Sequence, residues 1–149
     1  MSGRHLVTDQ DFEGLLRAVR TIAVVGLSPK PDRDSYRVAA YLQQAGYRIL
    51  PVHPEGGSIL GEPVYRCLTD IPASERVDVV DVFRRPDALP DLVPRVLAVG
   101  PRALWLQLGV THAGAEQAAI EGGVDLVVDR CMLVEHQRLV GESRQTPGG

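Results

Sequence analysis

The 149-residue sequence predicts a doubly wound α/β domain, a mainly parallel sheet of about five strands with helices on both faces. Three observations carry that reading. Short apolar runs rich in β-branched residues recur at wide spacing. Helix-length patterns lie between most of them, and the first run ends in a glycine-led turn that feeds a helix.

The elements follow in chain order. Residues 8–20, TDQDFEGLLRAVR, read as an amphipathic helix capped by Thr8, with Phe12, Leu15, Leu16 and Val19 as its apolar stripe. TIAVVG is the first strand, and SYRVAAYLQQAG the crossover helix, with Ser35 as its expected N-cap. YRILPV, VDVVDVF, ALWLQLG and VDLVVD supply four more strands. Helices are expected around 90–99 and over AGAEQAAIEGG, with Gly46 and Gly100 as left-handed caps. Pro90 suits a first helical turn, whereas Pro94 removes an internal hydrogen bond and is expected to kink its helix. Residues 1–140 read as a single domain, and the polar, glycine-rich 141–149 as a disordered tail.

A chain of this length buries about 68% of its unfolded surface, enough for a real core. The net charge of −3 argues against a broad nucleic-acid surface, so any anion site must be a local device. Cys67 and Cys131 lie far apart and form no CxxC pair, which gives neither a disulfide framework nor a metal-ligand spacing. No apolar run approaches membrane-spanning length, and MSGRHLVTDQ lacks a secretory core, so a cytoplasmic location is the default expectation.

The turn GLSPKPDRDS, residues 26–35, is the first candidate for function. Ligands of open α/β sheets bind beyond the carboxyl ends of the strands, where the strand order reverses. Gly26 permits a tight turn and close approach by a phosphate, while Ser28, Lys30 and Arg33 add a hydroxyl and positive charge. The GxGxxG dinucleotide pattern is not met, because Ser28 and Pro31 fill its second and third glycine positions. The second strand ends PVHP rather than in the acidic residue that takes ribose hydroxyls. Both departures disfavour NAD. A stiff strand-to-helix connection, with prolines for rigidity, is the alternative use of the same turn.

VVGLSPKPDRDSYRVAAYL, GYRILPVHP, VDVVDVFRRP, WLQLGV and DRCMLVEHQRL, in this order over residues 8–139, resemble the small stand-alone CoA-binding proteins. That family has a Rossmann-like fold similar to the CoA-binding domain of the succinyl-CoA synthetase α subunit. The resemblance implies that Gly26, Ser28, Pro29 and Lys30 lie against the CoA diphosphate, with Leu27 between them counted among the cofactor-binding residues. It puts Val52, His53 and Pro54 near the adenosine, and Phe83, Arg84 and Arg85 at the neighbouring strand end. His53 departs from the asparagine frequent in the family, a change that could alter how the adenosine end is held. Charge supports the class, since Lys30, Arg33, Arg37, Arg84 and Arg85 could rim a phosphate site in an otherwise acidic protein.

Further positions stand on their residues alone. Alternation puts Val77, Val79, Asp81 and Phe83 on one strand face. Asp81, inside an apolar strand, is expected to pair structurally with an arginine or backbone donors, or else to orient Arg84 or Arg85. Gln107 and Gly109 end the fourth strand, where the glutamine could bond pantetheine amides or loop carbonyls. Trp105 is expected in the core and Cys131 as a small buried residue, five positions from His136 and so not its partner on a helix. His5 and His112 are expected to face solvent.

Three classes of function result. The first is a module that binds CoA or an acyl-CoA without catalysis, its protein partner or self-association left open. The second is an enzyme acting on acyl-CoA, although 149 residues leave no room for a synthetase's phosphohistidine or ATP-binding domains. The third is a nicotinamide- or other nucleotide-binding redox or sensor domain.

Overall fold

A computed structural model describes residues 2–141. The tail expected at 141–149 therefore lies, Gly141 apart, outside the described residues. Helix α1 spans Asp9–Ala18, and Thr8 closes a full capping box with Asp11. It is followed by strand β1 (Thr21–Val25), helix α2 (Asp34–Gln44) and strand β2 (Arg48–Val52). A short hairpin, β3 (Ser58–Ile59) and β4 (Glu62–Pro63), precedes β5 (Val79–Val82). Next come α3 (Leu89–Val99), β6 (Ala103–Leu106), α4 (Ala113–Glu121), β7 (Asp125–Val127) and α5 (Met132–Leu139).

The main sheet is parallel throughout, in the order β2-β1-β5-β6-β7. Every strand is apolar on both faces, as a sheet covered on both sides requires. One core lies under α1, α2 and α5 and includes Phe12, Leu16, Ile22, Leu42, Ile49, Trp105 and Met132. The other lies under α3 and α4 and includes Val25, Leu50, Val80, Leu89, Val93, Leu104 and Leu126. The chain order reverses between β1 and β5, so the crevice beyond their carboxyl ends is the topological switch point. Among the described residues, no helix is long and apolar enough to cross a membrane.

Several local expectations change. Helix α2 starts one residue before Ser35, with Arg33 at the N-cap and no side-chain cap bond. Helix α3 contains Pro94 and closes, as expected, on Gly100 in the left-handed region, with φ 71°. Gly46 closes α2 as expected: it follows the C-cap Ala45 with φ 110°, its N–H donates to Gln43 O at 3.1 Å and the Tyr47 N–H to Leu42 O at 3.1 Å. Val77 precedes its strand and packs on the core opposite to Val79. His112 is not simply solvated: its ring accepts from the Ala115 N–H and caps α4.

Candidate functional site

The turn after β1 is built around Gly26. Its N–H donates to the Val52 carbonyl at 2.9 Å and its φ is 83°. A Cβ at this position would stand 2.2 Å from the Phe83 carbonyl oxygen and 3.1 Å from Arg84 Cδ. Only glycine lets β1 end wedged between the ends of β2 and β5. Leu27 then turns into the core and is fully buried, so it offers the site its backbone alone.

Two serines shape the rest. The Ser28 N–H donates to Ser35 Oγ at 3.0 Å, and the Lys30 N–H donates to Ser28 Oγ at 3.1 Å. These bonds take up amides that the sequence reading left open to a ligand. Pro29 and Pro31 have none to offer. The donors left for an anion are the first-turn amides of α2, which no side chain caps, together with the Ser28 hydroxyl and the neighbouring cations.

Those cations are Lys30 and Arg33 on the turn and Arg84 and Arg85 after β5. All four are exposed, and none has an acidic partner within ion-pair distance among the described residues. Arg37 differs, because its guanidinium donates to the Asp32 carbonyl at 3.0 Å and pairs with the Asp34 carboxylate.

A cavity of about 750 Å³ opens between the start of α2, the ends of β5 and β6 and the start of α5, and none of Gly26, Leu27, Ser28, Pro29, Lys30 and Arg33 lines it. Of the residues expected from sequence, Arg37, Phe83, Arg84, Arg85, Gln107 and Gly109 line it. Asp34, Val38, Leu108, Val110, Cys131 and Leu133 complete the wall. Leu108 is 66% exposed, an apolar side chain held out at the cleft's lip. Val52 is buried in the α3/α4 core, while His53 and Pro54 run on towards the hairpin. There the His53 N–H donates to Tyr65 O, and Arg66 donates to Pro54 O. None of these three lines the cavity.

The far wall is tied down by Asp129, which holds a left-handed φ of 61° and accepts from the Gly109 N–H at 2.7 Å. Strain at a non-glycine residue persists only where its surroundings enforce it. Cys131, expected to be buried, is instead half-buried and opens on the cleft at the start of α5. His136 points elsewhere: its Nδ1 lies 2.8 Å from the Tyr41 hydroxyl, and its ring packs edge-on against Tyr41 and Tyr47. Trp105 is fully buried, as expected, with its indole N–H donating to Arg130 O.

Asp81 is fully buried on the central strand, yet neither an arginine nor a backbone amide is its partner. Gln107 Nε2 donates to its Oδ1 at 2.5 Å, and its Oδ2 has no hydrogen-bond partner among the described residues. Burial pushes this carboxyl up to about 7, with the Gln107 bond pulling it back only in part. The pairing could not be read from sequence, because 26 residues separate Asp81 from Gln107, which lies just beyond β6 and two residues past Trp105, the register partner of Asp81.

Fold and site together define a Rossmann-like domain with an arginine-rimmed cleft at its switch point. The family model described as "CoA binding domain" matches residues 20–137, and the chain belongs to that family. Among its relatives, the uncharacterized protein YneT of Bacillus subtilis (strain 168) is 36% identical over 126 residues, covering 85% of this chain and 92% of the relative. A solved Thermus thermophilus structure is 44% identical with a TM-score of 0.85, covering 89% of this chain and 99% of that one. A hypothetical protein from Pyrococcus horikoshii OT3 is 36% identical with a TM-score of 0.87, covering 95% and 99%.

Proposed function

We propose that the chain binds coenzyme A, free or acylated, with its phosphates at the Gly26–Arg33 turn and its pantetheine arm along the cleft towards Gln107 and Cys131. The observation that carries this reading is the approach of the Gly26 turn to the end of β5, where a Gly26 Cβ would stand 3.1 Å from Arg84 Cδ, beside the uncapped start of α2; Lys30 and Arg33 on that turn and Arg84 and Arg85 after β5 are four cations without acidic partners among the described residues. The residues fit the group. Phosphates need donors and positive charge, and Gly26 holds the two cation-bearing strand ends together without a side chain between them.

Each desolvated charge-assisted bond to phosphate contributes about 1.5–3 kcal/mol, and less at an open rim. Val38, Phe83, Leu108, Val110 and Leu133 offer the apolar surface that an extended aliphatic arm would cover. When bound, coenzyme A supplies a thiol or thioester at the end of that arm. Cys131 lies on the cleft wall, but His136 faces the two tyrosines, so the pair is not arranged as nucleophile and base.

Calorimetric titration of the full chain with coenzyme A tests the reading, with NADH as a competing ligand. Saturable binding of coenzyme A that NADH does not displace is the expected result. No heat at millimolar coenzyme A, or tighter binding of NADH, overturns it.

A further inference from the structure

The Asp81–Gln107 pair fixes the hydrogen-bonding character of the cleft floor. Once Asp81 is ionised, above its raised titration range, its carboxylate can only accept from Gln107, and the amide presents Nε2 to it, at 2.5 Å. The amide plane then turns Oε1 away from Asp81. Gln107 Oε1 accepts nothing among the described residues, and it is not sealed from solvent as Asp81 Oδ2 is. Gln107 is otherwise buried, and it lines the cleft beyond the ends of β5 and β6. Its carbonyl therefore opens there.

We propose that Asp81 is a positioning residue that locks Gln107 with its carbonyl towards the cleft, so that this point of the site accepts a hydrogen bond from an N–H group of the ligand. The inference rests on the coenzyme A reading. That molecule carries two kinds of N–H, the secondary amides of its pantetheine arm and the exocyclic amine of its adenine. A ligand offering only an acceptor at this point would meet the Gln107 oxygen unfavourably, and selectivity follows from the loss of that bond.

Asp81 is an expensive way to hold a glutamine. Its Oδ2 is buried without a partner between Val24 and Trp105, which flank it in register on the two neighbouring strands. An apolar residue would serve the core better. A group that harms packing but fixes a cleft-lining amide is accounted for by the ligand.

Asp81→Asn tests the lock. Of the two orientations open to the new amide, the one leaving an orphan N–H in the Oδ2 position is the worse. The substituted side chain would thus donate to Gln107 Oε1 and turn the Gln107 amino group to the cleft. Affinity for coenzyme A should fall about three- to tenfold, the range of one neutral hydrogen bond. The melting temperature at pH 8 should not fall, because a buried charge is removed and the bond count is kept.

Adding Gln107→Glu should restore binding, since a carboxylate turns an oxygen to the cleft in either orientation. Gln107→Met should lose affinity as Asp81→Asn does. Calorimetry with coenzyme A and with adenosine 3′,5′-bisphosphate, which lacks the pantetheine arm, locates the donor. Losses confined to coenzyme A assign the arm amides, and losses with both ligands assign the adenine amine. Wild-type affinity in both single variants overturns the proposal alone, as does a loss in Asp81→Asn that merely follows a lower melting temperature or that Gln107→Glu leaves uncorrected. A wild-type chain that binds no coenzyme A overturns the proposed function, and this inference with it.

Discussion

The Ser28 N–H donates to Ser35 Oγ at 3.0 Å, tying the turn after β1 to the first turn of α2. Ser35 is buried and sits inside the helix, so its hydroxyl serves the loop and leaves the helix end open. The arrangement leaves the cationic turn rigid before any ligand arrives, and preorganisation of that kind lowers the entropy lost on binding.

Ser35→Ala removes the acceptor and strands a half-buried N–H. Stability should fall by about 1–3 kcal/mol. Affinity for coenzyme A should fall several-fold as the turn loosens, whereas Ser35→Thr should keep most of both. Urea denaturation and calorimetry on the same preparations check the pair of effects.

Gly26→Ala should be more severe. A Cβ would enter a backbone region that non-glycine residues avoid, 2.2 Å from a main-chain oxygen that cannot swing aside. The strain of the φ alone is worth about 1–3 kcal/mol, and the displacement of β5 adds to it. A melting temperature within about 2–3 °C of wild type, about 1 kcal/mol for a chain of this size, would show that the strand ends can separate freely.

Much of the architecture was legible because it rests on local patterns. The apolar runs at 21–25, 49–52 and 103–106 are buried on both faces, and a covered parallel strand has no other periodicity. Cleft residues contributed by strand ends, such as Phe83, Arg84, Gln107 and Gly109, could be found because topology alone puts strand ends there. What escaped was long-range or conformational. Ser35 reads as an N-cap by residue type, but the cap position went to Arg33, one residue before the helix begins. Asp81 took a glutamine from the next strand where a local arginine was expected. The β3–β4 hairpin has two-residue strands, too short for alternation to register.

The four cations should be separable by charge reversal. Lys30→Glu and Arg84→Glu should each weaken coenzyme A binding about tenfold or more at low salt, with the difference shrinking as ionic strength rises. Arg102→Glu changes net charge equally but precedes β6, at the opposite end of the sheet, and should leave affinity within about twofold. Calorimetry at two salt concentrations distinguishes a focused site from a general field. Equal losses in all three variants would mean that only net charge matters.

Asp81 should leave its mark on the pH dependence of stability. Its carboxyl is raised by burial from 3.8 to about 7 in the folded chain, whereas in the unfolded chain it returns to the ordinary range. Between those values the folded state holds a proton that the unfolded state has released. Its contribution to stability is therefore fully present below 3.8, declines as pH rises towards 7 and is flat above. Asp9, Asp11 and Glu75, whose carboxyls are held below their usual range by the Arg138 bond, the Thr8 backbone amide and Arg48 respectively, act in the opposite sense at lower pH. The wild-type curve therefore mixes both signs. Subtracting it from the Asp81→Asn curve isolates one group, because the exposed carboxylates are common to both proteins. The variant should gain on wild type steadily from about pH 5 to 7 and hold a constant advantage beyond. A difference that stays level across that window would mean that Asp81 titrates as an ordinary carboxylate and that its burial is relieved in solution.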